Sequence, residues 1–329
     1  MLGSQYHHVN SMLSRPVPLT VRAGACLVVV AHLAVVACSR MPGRRTTNGA
    51  KMNGPLIAAS ATMVAAWEVP KTPLADTSLD TSRLSEEVRR GFRIFTNTPH
   101  EAPRLAPGGM SCSNCHMNAG QREKSLPLVG VAGLFPEYNR RSGRLFSLGD
   151  RITDCFLRSE NTTGGTLSPA ELPTPTSSEV LAVSAYLAWL SRGSEVGKNP
   201  WWRGQNAIAA AMLVPIDKLD PRKGEAIYLD RCVTCHGPDG QGVAIGDKTA
   251  GPLWGPGSWN DGAGAARVYT LAGMIRYSMP YLDPGNMTDE DAQQLAAFID
   301  SKPRPVFPFK EGDYRTEKLP PDAVYYAQR

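Results

Sequence analysis

Histidine is scarce in this chain, six in 329 residues, and three of them, His7, His8 and His32, sit near the N-terminus. No basic run is interleaved with aromatics and the formal net charge is only +5, which excludes the footprint of a nucleic-acid binder. No strong alternating pattern marks a strand, so the fold class reads as all-α. The apolar run AGACLVVVAHLAVVA, residues 23–37, is shorter than the roughly 20 residues that a membrane-spanning helix needs. Disorder is excluded too: 42% of the residues are hydrophobic, and 329 residues suit two domains of about 150.

What is present begins with an export signal. Arg15 and Arg22 precede the apolar run, which ends in VVACS, a string that resembles the lipobox of a bacterial lipoprotein. Residues 1–38 are therefore expected to be a signal with Cys38 as the lipidated first residue of the mature protein. An ordinary cleaved signal or an uncleaved anchor is the alternative, PLIAASATMVAAW is a weaker second candidate, and Met12 is an alternative start. The expected location is periplasmic. Residues 39–75 read as a tether, rich in small residues.

Of seven cysteines, Cys26 and Cys38 belong to the signal. Four others form CSNCH, residues 112–116, and CVTCH, residues 232–236. C-x-x-C-H is the attachment motif of c-type haem: two thiols three apart reach the two vinyl groups, and the next histidine is directed at the iron. One copy could mark a zinc or redox site; two copies in an exported chain predict two covalently bound haem c groups, attached through Cys112, Cys115, Cys232 and Cys235, with His116 and His236 as proximal iron ligands. The surroundings repeat as well. SEEVRRGFRIF (85–95) and PRKGEAIYLDR (221–231) are helical patterns in which Gly91 or Gly224 precedes Phe95 or Tyr228 by four residues. Each domain closes on a helical stretch, 177–193 and 288–305, the second opened by Thr288 as a cap. Two tandem cytochrome c domains follow, at 76–193 and 217–312, joined by a connector at 194–216 in which Trp201 and Trp202 are expected to pack on one domain. Residues 313–329 are a C-terminal tail.

Each iron then needs a distal ligand. Without the signal only His100, His116 and His236 remain, so two bis-histidine haems are impossible; His100, in a proline-flanked loop, reads as a surface or access-channel residue. For the second haem the candidate is Met279, just before a proline and the final helix, with Met274 as the alternative. No methionine is placed to serve the first. Cys155 lies 39 residues after His116, close to the 43 between His236 and Met279, and so occupies the distal position by internal analogy. A thiolate ligand lowers the potential of iron, and a methionine raises it. If GDRITDCFLRSE is helical, Arg151, Cys155 and Ser159 share a face, with Arg158 beside them and Arg140, Arg141 and Arg144 upstream. Some of these arginines could be solvated or bond haem propionates. A cationic cluster around a nucleophilic sulfur otherwise suits an oxyanion that reacts at sulfur.

The chain resembles the dihaem thiosulfate dehydrogenases, or tetrathionate synthases, from Val69 to Pro308. The resemblance is carried by TNTPHEAP, SCSNCH, SGRLFSLGDRITDCFLRSEN, AYLAWLSRG, EAIYLDRCVTCHGPDGQG, GPLWGPGSWNDGAG and MIRYSMP. It implies a catalytic haem ligated by His116 and Cys155, and an electron-transfer haem ligated by His236 and Met279. It also implies Arg141, Arg151 and Ser159 as active-site residues beside a catalytic Cys155. The implied reaction couples two thiosulfates to tetrathionate and passes two electrons to an external cytochrome c or similar acceptor, with tetrathionate reduction as the reverse. Some relatives carry a lysine before the methionine; here it is Ser278, so no redox-driven ligand exchange is expected. A non-catalytic dihaem electron-transfer cytochrome is the alternative. A cysteine-ligated subunit of the periplasmic thiosulfate-oxidising complex and a dihaem peroxidase rank lower.

Overall fold

The structure, a computed structural model, describes residues 71–245 and 248–327; the expected signal, Cys38 and the expected tether up to residue 70 lie outside the described residues. Six helices of eleven residues or more build it: α1 (Arg83–Thr96), α2 (Leu148–Arg158), α3 (Ser178–Leu190), α4 (Pro221–Arg231), α5 (Val268–Ser278) and α6 (Asp289–Asp300). They divide between two hydrophobic cores. The first gathers Val88, Ile94 and Phe95 of α1, Phe156 of α2 and Val183, Tyr186 and Leu190 of α3. The second gathers Tyr228 of α4, Leu271 and Ile275 of α5 and Leu295, Phe298 and Ile299 of α6.

The same crossing occurs in both halves. α1 meets α3 at Gly91, where an added Cβ would lie 1.9 Å from the carbonyl oxygen of Ala182. α4 meets α6 at Gly224, where the corresponding clash is 2.1 Å from the carbonyl oxygen of Gln294. Glycine is needed here for the close approach of two backbones, not for its φ freedom. One turn later an aromatic from the early helix meets one from the late helix: Phe95 and Tyr186 at 5.4 Å between ring centroids, Tyr228 and Phe298 at 5.5 Å.

Local chemistry sets the helix ends. The Thr288 hydroxyl accepts from the N–H of Asp291 at 3.0 Å, and three acidic residues fill the first turn of α6. Asp220 caps α4 ahead of Pro221. α3 and α6 stop earlier than the sequence patterns: α3 at Leu190, three residues before the left-handed Gly193, and α6 at Asp300, ahead of Pro303 and Pro305.

The structure differs from the all-α expectation in two small antiparallel hairpins. β1 (Glu137–Asn139) pairs with β2 (Arg144–Phe146), and β3 (Ala244–Ile245) with β4 (Lys248–Thr249). Such short strands contribute little to either core, so their sequences carry no alternation to detect. Trp202 is buried in the first core, whereas Trp201 is 64% exposed. The residues after 312 are docked: Asp322 and Ala323 are buried and Tyr325 packs on the second core. Among the described residues no helix is long and apolar enough to cross a membrane.

Replacing Gly224 by alanine should force α4 away from α6 and cost about 1–3 kcal/mol. Gly312→Ala, where nothing lies within 4 Å of the new Cβ, should stay within about 0.5 kcal/mol. Denaturant unfolding of the haem-loaded protein followed by circular dichroism compares the two.

Candidate active site

Cys112–Cys115 forms one helical turn, closed by Asn114 accepting from the N–H of Ser111 at 2.7 Å. His116 follows it, and its Nδ1 donates to the carbonyl of Leu126 at 2.6 Å. Donation to a carbonyl fixes the tautomer and leaves the Nε2 lone pair free for a metal. Burial pushes the imidazole pKa down to about 4, which keeps the ring neutral. The chain reaches Leu126 by a tightly wound loop in which Asn118, Ala119, Gly120, Lys124 and Leu126 all have positive φ. Four of these are not glycine, and such left-handed conformations persist where surrounding contacts hold them. The Tyr186 hydroxyl, donating to the carbonyl of Ala119 at 2.7 Å, is one such contact.

Opposite this turn stands α2, started by a capping box between Ser147 and Asp150. A cavity of about 740 Å³ is lined by Cys112, Cys115 and His116, by Arg151, Cys155 and Ser159, and by Arg140 and Arg141. The helical face read from the sequence is therefore assembled: Arg151, Cys155 and Ser159 look into one space, with the N–H of Ser159 donating to the Cys155 carbonyl at 2.7 Å. Next to it a second recess, about 30 Å³, is enclosed by Arg141, Arg151, Asp154, Cys155, Arg158, Ser159 and Gly264. Burial raises the pKa of the Cys155 thiol, and the Arg151 guanidinium is the largest influence opposing it. Arg151 is 48% exposed because it faces the cavity, and lies 3.6 Å from Asp154.

The other arginines separate into different roles. Arg158 does not offer its charge to the recess. It makes a fork to Asp313 at 2.7 and 2.8 Å, bonds Asp154 at 2.5 Å and the carbonyl of Gly262 at 3.0 Å, and lies over the Phe307 ring at 4.0 Å. Arg141 donates to that same Gly262 carbonyl, while its own carbonyl accepts from the N–H of Tyr314 at 2.7 Å. Arg144 turns away to Asp150 at 3.0 Å and the Phe146 ring. Gly262, Asp313 and Tyr314 were missed by sequence reasoning. They arrive from the second domain and the tail, and no local spacing links them to Cys155. Glu160 was missed as well: it is buried in the wall of the large cavity, and burial raises its pKa to about 8.

At the second motif, His236 Nδ1 donates to the carbonyl of Gly251 at 3.2 Å, again freeing Nε2. Cys232, Val233 and Met279 pack against the second core; Met274 is half-buried and not part of it. Ser278, buried beside Met279, accepts from the Ser125 hydroxyl of the first domain at 2.9 Å. His100 is 76% exposed and pairs with Glu101, away from the cavity. Among the described residues no group of three His, Cys, Asp or Glu side chains forms a bare metal-ion site.

These residues fit haem c. The large cavity is within the roughly 300–1,000 Å³ typical of cofactor sites. Its walls are apolar at Phe95, Leu128, Val183 and Leu187. The Nε1–H of Trp202, on the cavity wall, is buried without an acceptor, as is that of Trp259 in the second core. Carboxylates carried in on a haem would be acceptors for such donors.

Residues 103–196 match the family described as SoxA/TsdA, cytochrome c domain, and residues 219–299 match cytochrome C oxidase, cbb3-type, subunit III. The thiosulfate dehydrogenase of Allochromatium vinosum is 39% identical over 240 residues, covering 70% of this chain and 83% of that protein. This chain belongs to the thiosulfate dehydrogenase family. Another member, from Stutzerimonas stutzeri, is 35% identical over 237 residues, covering 72% of this chain and 73% of that protein. The solved "as isolated" form of the thiosulfate dehydrogenase TsdBA from Marichromatium purpuratum superposes with a TM-score of 0.64 at 31% identity. That match covers 73% of this chain and half of the length of the solved one. Both halves of this thiosulfate dehydrogenase family member are thus cytochrome c domains, whose cofactor is haem c.

Asp313→Asn should remove the main counter-charge of a buried guanidinium and cost about 3 kcal/mol, the low end for a broken buried pair because Asp154 remains. Tyr326→Phe, which removes a 2.6 Å bond to Asp313, should cost about 1 kcal/mol. Urea unfolding curves of the two variants measure both.

Proposed function

We propose that this protein oxidises thiosulfate to tetrathionate at Cys155 and delivers two electrons, one at a time, to an external cytochrome c or similar acceptor. One observation carries the reading: the Cys155 sulfur, the Arg141 and Arg151 guanidinium groups and the Ser159 side chain converge on a recess sized for a small anion. His116 and Cys155 would hold the first haem and His236 and Met279 the second. When bound, the haems supply one-electron acceptors of graded potential.

The residues divide the work by charge. Thiosulfate is a dianion, and Arg141 and Arg151 offer it planar donors that match its oxygens. Ser159 adds a neutral donor one helical turn from the nucleophile. The Cys155 thiolate forms a bond to the sulfane sulfur of the first thiosulfate; two electrons leave and a cysteine S-thiosulfonate remains. A second thiosulfate attacks the sulfane sulfur of this adduct, its S–S bond to Cys155 breaks, tetrathionate departs and the thiolate is regenerated. No net proton is exchanged, and the same steps reversed reduce tetrathionate. We place the reaction in the periplasm, with Cys38 as a lipid anchor.

Cys155→Ala should lower thiosulfate-dependent haem reduction by about three orders of magnitude or more, as loss of a covalent catalyst does, with both haems still attached. Arg151→Gln should lower kcat/KM on the order of 10- to 100-fold, as expected for a lost charge-assisted hydrogen bond. Stopped-flow spectroscopy of the oxidised protein with thiosulfate, with tetrathionate quantified, reads both. Undiminished turnover in Cys155→Ala would overturn the covalent role, and no thiosulfate-dependent reduction in the unsubstituted protein would make it a plain electron-transfer cytochrome.

A further inference from the structure

The loop after the first C-x-x-C-H motif is engaged on two sides. Its Leu126 carbonyl accepts from Nδ1 of His116 at 2.6 Å. The residues just before that carbonyl reach across to the second domain and touch the segment 277–281, which carries Met279 at its centre. Ser125 donates to the Ser278 hydroxyl at 2.9 Å, and Ser278 donates in turn to the carbonyl of Lys124 at 3.4 Å. The Lys124 ammonium lies over the Tyr277 ring at 5.1 Å. Arg122 donates to the Tyr281 carbonyl at 3.2 Å, with its guanidinium over the Tyr281 ring at 4.8 Å. Met279 is thus flanked on both sides in the chain by residues that the first domain grips.

This grip is specific rather than a chance contact of surfaces. Ser125 and Ser278 both have 0% relative exposure, so each hydroxyl has to find its partner inside the protein, and the pair closes on a backbone carbonyl. Lys124 and Leu126, on either side of Ser125, hold left-handed φ of 58° and 52°, a conformation that non-glycine residues keep where their surroundings impose it. Ser278 is the last residue of α5, and the N–H of Met279 donates to the Ile275 carbonyl at 3.0 Å. Fixing Ser278 therefore fixes how the chain leaves the helix at Met279. We propose that Ser125 and Ser278 are positioning residues that join the proximal ligand of the first haem and the methionine ligand of the second into one rigid unit. This inference rests on the dihaem reading above, with Met279 as a ligand. The lock acts in both directions. Donation by Nδ1 to a carbonyl makes a ligating imidazole more basic, so a displaced Leu126 carbonyl raises the potential of the first haem. Methionine ligation raises the potential of a haem, so a loosened Met279 lowers that of the second.

The test is a spectroelectrochemical titration of the full-length haem-loaded protein, after a pyridine haemochrome assay has counted haems per chain. Ser125→Ala, a change in the first domain, should lower the midpoint potential of the methionine-ligated haem and weaken the red charge-transfer band that methionine gives ferric haem. Ser278→Ala, a change in the second domain, leaves the Ser125 hydroxyl without its acceptor and should raise the potential of the cysteine-ligated haem. On either haem the double substitution should fall short of the sum of the single effects, as for two partners in one contact. If an alanine variant does not fold with both haems, Lys124→Met, which removes only the cation over Tyr277, should shift the methionine-ligated haem in the same direction as Ser125→Ala. Potentials that stay unmoved in the folded variants, or shifts confined to the haem of the substituted domain, would overturn the proposal. One haem per chain, or no methionine band, in the unsubstituted protein would instead remove the dihaem reading and this inference with it.

Discussion

Arg158 is the tie on which the sulfur site depends. Its guanidinium gathers Asp154 from its own helix, Asp313 from the C-terminal segment and the Gly262 carbonyl from the second domain, with Arg158 and Asp313 both buried. A buried cation with well-made partners adds little net stability but tolerates the loss of any partner poorly. Its value here is positional. It holds the Gly262 carbonyl in place, that carbonyl receives Arg141, and Arg141 forms one wall of the recess beside Cys155. The arginine nearest the cysteine in sequence thus serves the site through another residue.

Beneath that tie lies a duplicated scaffold. Gly91 on Ala182 and Gly224 on Gln294 bring helix backbones close enough for a following aromatic to seat under each C-x-x-C-H turn. The imidazole is then aimed in the same way in both halves, by Nδ1 donation to a backbone carbonyl, Leu126 or Gly251. The halves diverge in what surrounds the motif. In the first, a helix brings a thiol and guanidinium groups to the cavity that His116 lines; in the second, the end of α5 packs Met279 on the same core as Cys232 and Val233. One frame thus carries two different surroundings for its repeated motif.

Much of this was legible in the sequence because it is local or repeated. The two motifs, their flanking helices and the Thr288 cap are read from spacing alone, and the face shared by Arg151, Cys155 and Ser159 follows from helical period. The rest was hidden for physical reasons. Arg158 and Arg141 look equivalent in sequence, and only the approach of Asp313 and Gly262, more than a hundred residues away, gives them different tasks. The hairpin that turns at Arg140 and Arg141 has strands of three residues, too short for alternation to show in the sequence. Glu160 and Arg122 are charged residues that sequence reasoning assigns to the surface, and tertiary packing buries both.

The sharing of one carbonyl by two arginines also ties the recess to the end of the chain. Asp313 and Tyr314 are translated after both C-x-x-C-H motifs, yet they fasten Arg158 and Arg141 in the first half. The end of the chain is thus as much a support of that recess as the helix that carries Cys155.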